Sequence, residues 1–184
     1  MKLRDLPNLI TVLRFFLVPP VVVLLLRERY GEALAVFAVA GLSDAADGFL
    51  AKRYGWSTRL GGLLDPLADK ALLVSSFVTL AVLGLLPAWL VAVVIARDVI
   101  IVGGAATYHL RIERLNAEPR LLSKLNTAGQ IALVVAVMFS EGVARLPQGA
   151  VHTLVVLVLV TTALSGMDYV WTWSRRARRR GSPG

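Results

Sequence analysis

Long apolar stretches separated by short polar segments make up most of the chain. An α-helix needs about 20 mostly apolar residues to cross a bilayer core about 30 Å thick. Six stretches approach or exceed that length: Leu9–Leu26, Glu32–Ala51, Leu60–Leu86, Ala88–Tyr108, Leu125–Ser140 and Ala150–Trp173. The pattern therefore predicts an all-α, multi-pass membrane protein with six transmembrane helices.

The two ends of the chain differ from these spans. Met1–Pro7 mixes polar and apolar residues, which is typical of a short helix lying along the membrane interface. It is not typical of a cleaved signal peptide, because Arg14 interrupts the next apolar run. The arginine-rich segment from Ser174 predicts a disordered basic tail. We therefore expect a membrane domain over residues 1–173 and a tail over 174–184.

The basic residues sort to one side of the predicted spans. Of 20 Lys and Arg, 14 lie in the two termini and in the loops after the second and fourth spans. Only three lie on the opposite side, and the remaining three lie within spans. The positive-inside rule then places both termini in the cytoplasm. We expect an integral protein of a bacterial inner membrane.

Composition changes the picture mainly by what it excludes. The chain is 57% apolar and 17% charged, whereas soluble domains run about 45–50% apolar and about 25% charged. Its net charge of +8 would favour a nucleic-acid partner in a soluble protein. Here the basic excess marks the cytoplasmic side, so we expect a lipid bilayer and no nucleic acid. The absence of cysteine excludes a catalytic thiol and a thiolate metal site.

Half of the 12 acidic residues fall in the interior of predicted spans: Asp44, Asp47, Asp65, Asp69, Asp98 and Asp168. A carboxylate at a helix centre costs roughly 2.5–3.5 kcal/mol on an insertion scale, so such residues are candidates for a functional site. Asp44 and Asp47 share one face of the second helix, because they are three residues apart. Asp65 and Asp69, four apart, share one face of the third. The short loop between these helices brings the four carboxylates together on the cytoplasmic side.

Four carboxylates without a neighbouring His or Cys suit a hard divalent cation such as Mg²⁺ or Mn²⁺. They are enough for two ions, and two-metal sites serve phosphoryl chemistry. Gly48, Ala51 and Gly61 lie at helical spacing from the aspartates. Small residues there admit a ligand, or else the backbone of a neighbouring helix, which is the commoner reason for them in membrane helices.

The stretch reads Asp44-x2-Asp47-Gly48-x2-Ala51-Lys52-x8-Gly61-x3-Asp65-x3-Asp69. It resembles the signature of the CDP-alcohol phosphatidyltransferase family, D-x2-D-G-x2-A-R-x8-G-x3-D-x3-D, with Lys52 in place of the usual arginine. The six-span layout is similar to that of the family as well. The resemblance implies transfer of a phosphatidyl group from a CDP-linked lipid to an alcohol, with release of CMP.

The resemblance also implies a role for each position of the signature. The implied metal ligands are Asp44, Asp47, Asp65 and Asp69. Asp69 is implied to be the general base as well, removing the proton of the acceptor hydroxyl. The residues implied to make room for the CDP moiety are Gly48, Ala51 and Gly61. Lys52 is implied to lie near the diphosphate, where lysine keeps the charge but lacks the bidentate fork of arginine.

The start of the first helix bears on the donor lipid. Pro7–Arg14 is similar to the branch of the family that uses CDP-diacylglycerol. Asn8, Thr11 and Arg14 follow three-residue steps, so they share a helical face from which they would reach the nucleotide or diphosphate. The alternative is an interfacial helix cap with a snorkelling Arg14.

Two later segments bear on the acceptor alcohol. Ile95–Val99 and Leu122–Thr127 are similar to CMP-releasing cardiolipin synthases. They offer Arg97 and Lys124 as ligands for an acceptor phosphate, although an ion pair with a carboxylate is an alternative for Arg97. We therefore expect phosphatidylglycerol as acceptor, giving cardiolipin. Glycerol 3-phosphate, giving phosphatidylglycerophosphate, is the closest alternative.

Functions of other classes fit less well. Intramembrane prenyltransferases also use aspartate clusters, but they need more spans and a different spacing. A small transporter with a carboxylate ion site would be expected to show paired broken helices, which this sequence lacks. An inactive scaffold would not need all four aspartates. The resemblance also implies a homodimer, for which no sequence feature identifies the interface.

Overall fold

The structure is a computed structural model that describes residues 6–54, 61–111 and 121–180. Over these ranges the chain forms six α-helices and no strand. The helices are α1 (Leu6–Leu26), α2 (Tyr30–Tyr54), α3 (Gly61–Val82), α4 (Ala88–Arg111), α5 (Leu121–Gly142) and α6 (Gln148–Arg180). The all-α prediction is confirmed for the described chain.

Each helix overlaps one predicted span, and the bounds differ most at two places. Helix α3 ends at Val82, whereas the apolar run predicted a span to Leu86. The chain turns at Gly84, whose φ of 75° lies in the left-handed region that glycine tolerates best. Helix α6 continues to Arg180, whereas the sequence predicted a disordered tail from Ser174. Arginine and alanine are good helix formers, and they carry the helix to the residue before a glycine.

Among the described residues, two helical segments are long and apolar enough to cross a membrane, namely α5 and residues Gly149–Tyr169 of α6. Large apolar side chains on their surfaces, such as Leu125 and Met167, are exposed. The predicted interfacial helix over Met1–Pro7 lies largely outside the described residues, since α1 begins at Leu6. The arrangement of six spans therefore stays a prediction.

The chain divides into two compact units. The first comprises Met1–Leu86 with Val134–Pro147, and within it α1 packs against both α2 and α3. The second comprises Pro87–Leu133 with Gln148–Gly184, and within it α4 packs against α6. Each unit has its own buried apolar side chains, for example Phe77 in the first and Leu90 in the second.

In the first unit, the start of α2 meets the end of α5 at two glycines. A Cβ atom on Gly142 would lie 2.7 Å from the carbonyl carbon of Tyr30 and 2.8 Å from Cα of Gly31. Real Cβ atoms do not approach backbone so closely, so the two segments touch only because residue 142 has no side chain. Burial raises the pKa of the Tyr30 phenol at this contact, and the charges of Glu28 and Glu141 raise it further.

We predict that Gly142→Ala lowers the unfolding temperature in detergent, because the added methyl group must push two backbones apart. Overpacking of this kind costs about 1–3 kcal/mol. Gly41→Ala is the matched control, since a Cβ at that helical position meets nothing within 4 Å. The control is expected to be neutral or to gain up to about 1 kcal/mol from helix propensity. Equal unfolding temperatures for the two variants would contradict the close contact.

Candidate active site

One guanidinium joins three helices in the first unit. The side chain of Arg14, on α1, is only 1% exposed. Its Nη2 lies 2.5 Å from Oδ1 of Asp44 on α2, and its Nη1 donates a hydrogen bond to Oδ1 of Asp69 on α3. The structure thus brings together one carboxylate from each half of the family-like signature.

The three charged residues continue the buried apolar stripes of their helices. Arg14 lies seven residues before the fully buried Val21, and so on the same face of α1. Asp44 follows the buried Ala40 by four residues on α2, and Asp69 precedes the buried Leu73 by four on α3. Packing of the apolar stripes therefore carries the charged side chains to one point.

The charges at this point are unequally exposed. The side chain of Asp44 is 36% exposed and that of Asp69 is 49% exposed, whereas Arg14 is buried. A buried guanidinium is costly unless it is paired, and two carboxylates provide that pairing. The three side chains together carry one more negative than positive charge. The carboxylates of Asp44 and Asp69 are therefore accessible to water and to a further cation.

The donor set fits a divalent metal. Carboxylate oxygens are the ligands that Mg²⁺ and Mn²⁺ prefer, and here they come from two helices that Arg14 holds together. Among the side chains that the structure describes, no group of three or more His, Cys, Asp or Glu is assembled. The side chains of Asp47 and Asp65 lie outside that description. They belong to helical backbone, three residues after Asp44 and four before Asp69.

The other residues predicted to contact the CDP group also lie outside the described side chains. They are Asn8 and Thr11 on α1, Gly48, Ala51 and Lys52 on α2, and Gly61 at the start of α3. Their contacts stay predictions. Of the predicted donor-binding residues, Arg14 is the one whose side chain the structure describes, and it contacts the carboxylates Asp44 and Asp69.

A second buried guanidinium lies in the other unit. Arg97, on α4, is 6% exposed and donates from Nη1 to Oδ1 of Asp98 at 2.8 Å. Its Nη2 donates to Oγ of Ser123 on α5 at 2.9 Å and to Oγ of Ser165 on α6. Of the two predicted acceptor ligands, Arg97 thus makes an ion pair with its neighbour on α4, while Lys124 is exposed. The hydroxyls of Ser123 and Ser165 were missed by sequence reasoning.

Buried amides continue this polar cluster along α5. Asn126 is fully buried, and its Oδ1 accepts hydrogen bonds from Oγ1 of Thr161 at 3.0 Å and of Thr162 at 2.8 Å. Gln130, one helical turn further, is also fully buried, and its amide has no hydrogen-bond partner among the described residues. The signal for these residues was present as polar side chains at helical spacing within an apolar run.

Comparison with known proteins matches the chain to one family. Residues 4–167 match the model of the family described as CDP-alcohol phosphatidyltransferase. The chain is 36% identical over 148 residues to a cardiolipin synthase (CMP-forming) of Rattus norvegicus, covering 71% of this chain and 48% of the relative. It is 33% identical over 184 residues to a "Probable phosphatidylglycerophosphate synthase" of Mycobacterium tuberculosis, covering 92% of this chain and 81% of the relative. The chain spans about half the length of the rat and human relatives that it matches.

We predict that Arg14→Met destabilises the metal-free protein by about 1–3 kcal/mol, because it leaves two neighbouring carboxylates without their counter-charge. The value lies below the 3–5 kcal/mol typical of a broken, fully buried pair, since both carboxylates are partly exposed. The free energy of unfolding in detergent measures the loss. Arg29→Met is the matched control, because Arg29 forms an exposed pair with Glu32. Exposed pairs contribute about 0–1 kcal/mol, so equal losses in the two variants would contradict the role of Arg14.

Proposed function

The chain belongs to the CDP-alcohol phosphatidyltransferase family, and we propose that it transfers a phosphatidyl group from CDP-diacylglycerol to a glycerol-based acceptor, releasing CMP. The observation that supports this most is the meeting of Asp44 and Asp69 at Arg14. Residues from the two ends of the signature thereby form one anionic site. Such a site offers a proton acceptor and metal-binding oxygens in the same place.

Asp69 is the proposed general base. About half of its side chain is exposed, so an acceptor hydroxyl can approach it. As the hydroxyl oxygen attacks the phosphorus that carries diacylglycerol, its proton passes to the Asp69 carboxylate. The bond from that phosphorus to the CMP oxygen breaks, and CMP leaves with the negative charge. A positioned base of this kind contributes about 10²–10⁴-fold to rate.

Four aspartates are the proposed metal ligands: Asp44, Asp47, Asp65 and Asp69. Mg²⁺ or Mn²⁺, as two ions, would be held by these residues and would supply positive charge to the diphosphate and to the departing CMP. The residues proposed to bind the diphosphate or nucleotide are Asn8, Thr11, Arg14, Gly48, Ala51, Lys52 and Gly61. The anionic site formed by Asp44 on α2 and Asp69 on α3 supports the metal assignment. Its negative charge would repel a polyanionic substrate unless bound metal ions added positive charge.

Phosphatidylglycerol is the proposed acceptor, which gives cardiolipin as product. Glycerol 3-phosphate is the second candidate, because relatives named for both products match at similar identity. Both alcohols carry a glycerol hydroxyl beside a phosphate. Arg97 and Lys124 are the proposed phosphate ligands. A phosphate at Arg97 would replace the contact with Ser123 or Ser165, whose hydroxyls are weaker acceptors than an anion.

We place the protein in a membrane through six spans, with both termini and the anionic site on the cytoplasmic side. The apolar segments of α5 and α6 support this placement, as does the one-sided distribution of Lys and Arg. A homodimer is also proposed. The site described above uses one copy of the chain.

We predict CMP release when the purified chain in detergent is given CDP-diacylglycerol, Mn²⁺ and phosphatidylglycerol. Parallel reactions contain glycerol 3-phosphate, inositol phosphate or serine in place of phosphatidylglycerol, and chromatography measures CMP and the lipid product. CMP with glycerol 3-phosphate alone would contradict the acceptor assignment. No CMP with any of these alcohols would contradict the enzymatic proposal.

Asp69→Asn tests the proposed general base in the same reaction. The amide keeps the size of the side chain but accepts no proton, so CMP release should fall about 10²–10⁴-fold. Glu32→Gln removes an exposed carboxylate outside the site and should leave the rate unchanged. A rate near that of the unaltered chain for Asp69→Asn would remove its role as the base.

A further inference from the structure

Arg14 occupies the same two aspartates that are proposed to bind metal, so its positive charge competes with that of the metal. Arg14 Nη atoms lie against Oδ1 of Asp44 and Oδ1 of Asp69, which belong to two of the carboxylates proposed to bind metal. Inner-sphere ligands of Mg²⁺ lie about 2.0–2.1 Å from the ion. A dication at that distance would stand a few ångströms from a guanidinium of like charge in a partly buried site, where water screens repulsion weakly.

We propose that Arg14 is an exchangeable counter-ion of this site. Its guanidinium holds Asp44 and Asp69 together in the metal-free protein and gives up these carboxylates when a divalent cation binds. The released guanidinium then pairs with the diphosphate of the donor. The inference rests on the proposed function, because it takes the metal and the diphosphate from it.

The geometry suits an exchange that leaves the helices in place. The backbone of α1 is fixed by buried residues such as Val21 and Leu25, whereas the arginine side chain has several rotatable bonds. Asp44 and Asp69 are partly exposed, so a hydrated cation reaches them without opening the apolar core. The movement required is therefore a change of rotamer at Arg14.

The exchange also couples the two ligands. A guanidinium that gives up Asp44 and Asp69 inside a protein is stabilised by another anion, since a buried charge is costly unless it is well paired. A diphosphate supplies that anion, so its binding favours the conformation in which the carboxylates are open to metal. By linkage, CDP-bearing donor and metal should each increase the affinity for the other, and part of this coupling should depend on Arg14.

Calorimetric titration of the metal-free chain with Mn²⁺ tests the exchange without any measurement of activity. Arg14→Met should bind Mn²⁺ about tenfold more tightly, if about one molecule in ten of the unaltered protein has its carboxylates open. Arg29→Met is the matched control, because it removes a positive charge from an exposed pair with Glu32, beyond the end of α1 and about 18 Å along the helix axis from Arg14. An exposed charge farther away than the Debye length is largely screened, so the control should change affinity less than about threefold.

Arg14→Lys is a second variant that tests the exchange even if Arg14→Met fails to fold. An ammonium keeps the charge but lacks the fork that reaches two carboxylates at once, so Mn²⁺ should bind about threefold more tightly than to the unaltered chain, if lysine leaves about three times as many molecules open. Unchanged or weaker Mn²⁺ binding in the Arg14 variants would overturn the exchange, as would a tightening no larger than that of Arg29→Met. Failure of all the proteins to bind Mn²⁺ would overturn it as well.

The exchange and the proposed function fail in different ways. CMP release without tighter Mn²⁺ binding in Arg14→Met would leave the transferase activity standing and make Arg14 a fixed structural contact. Tighter Mn²⁺ binding without CMP release from any acceptor would leave the exchange standing and refute the activity.

Discussion

A buried positive charge needs negative partners, and the arrangement of the first unit follows from how this chain provides them. Arg14 lies on the face of α1 that also carries Val21 and Leu25, so burial of that face takes the guanidinium out of water. The charge is then stabilised by Asp44 and Asp69, which α2 and α3 bring to it. Apolar packing and ion pairing thus require the same placement of three helices.

The same contact makes the site chemically useful. Two carboxylates in one place repel each other, and Arg14 offsets this repulsion while leaving both partly exposed. An accessible anionic site is what the proposed metal-dependent transfer from a diphosphate would require. Arg97 on α4 shows a related arrangement, in which two neutral serine hydroxyls accompany the ion pair with Asp98. Hydroxyls are weaker acceptors than an anion, which is consistent with the phosphate-binding role proposed for Arg97.

The sequence predicted the helices well where one apolar run corresponds to one helix, and less well at their ends. Helix α3 ends at Val82 because the chain turns at Gly84, whose positive φ cannot be read from hydropathy. Helical spacing and a short loop were enough to predict that carboxylates of α2 and α3 meet. They could not place Arg14 between these carboxylates, because Arg14 and Asp69 are 55 residues apart in the sequence. Hydrogen bonds of Arg97 to Ser123 and Ser165 join residues 26 and 68 apart, and no local pattern encodes them.

A double-mutant cycle between Arg14→Met and Asp44→Asn tests the central contact most directly. The free energy of unfolding is measured for the unaltered chain, both single variants and the double variant in metal-free detergent solution. If the two side chains form the pair described, the loss in the double variant is smaller than the sum of the single losses by about 1 kcal/mol or more. Losses that add to within about 0.5 kcal/mol would show that the two residues act independently and would contradict the account.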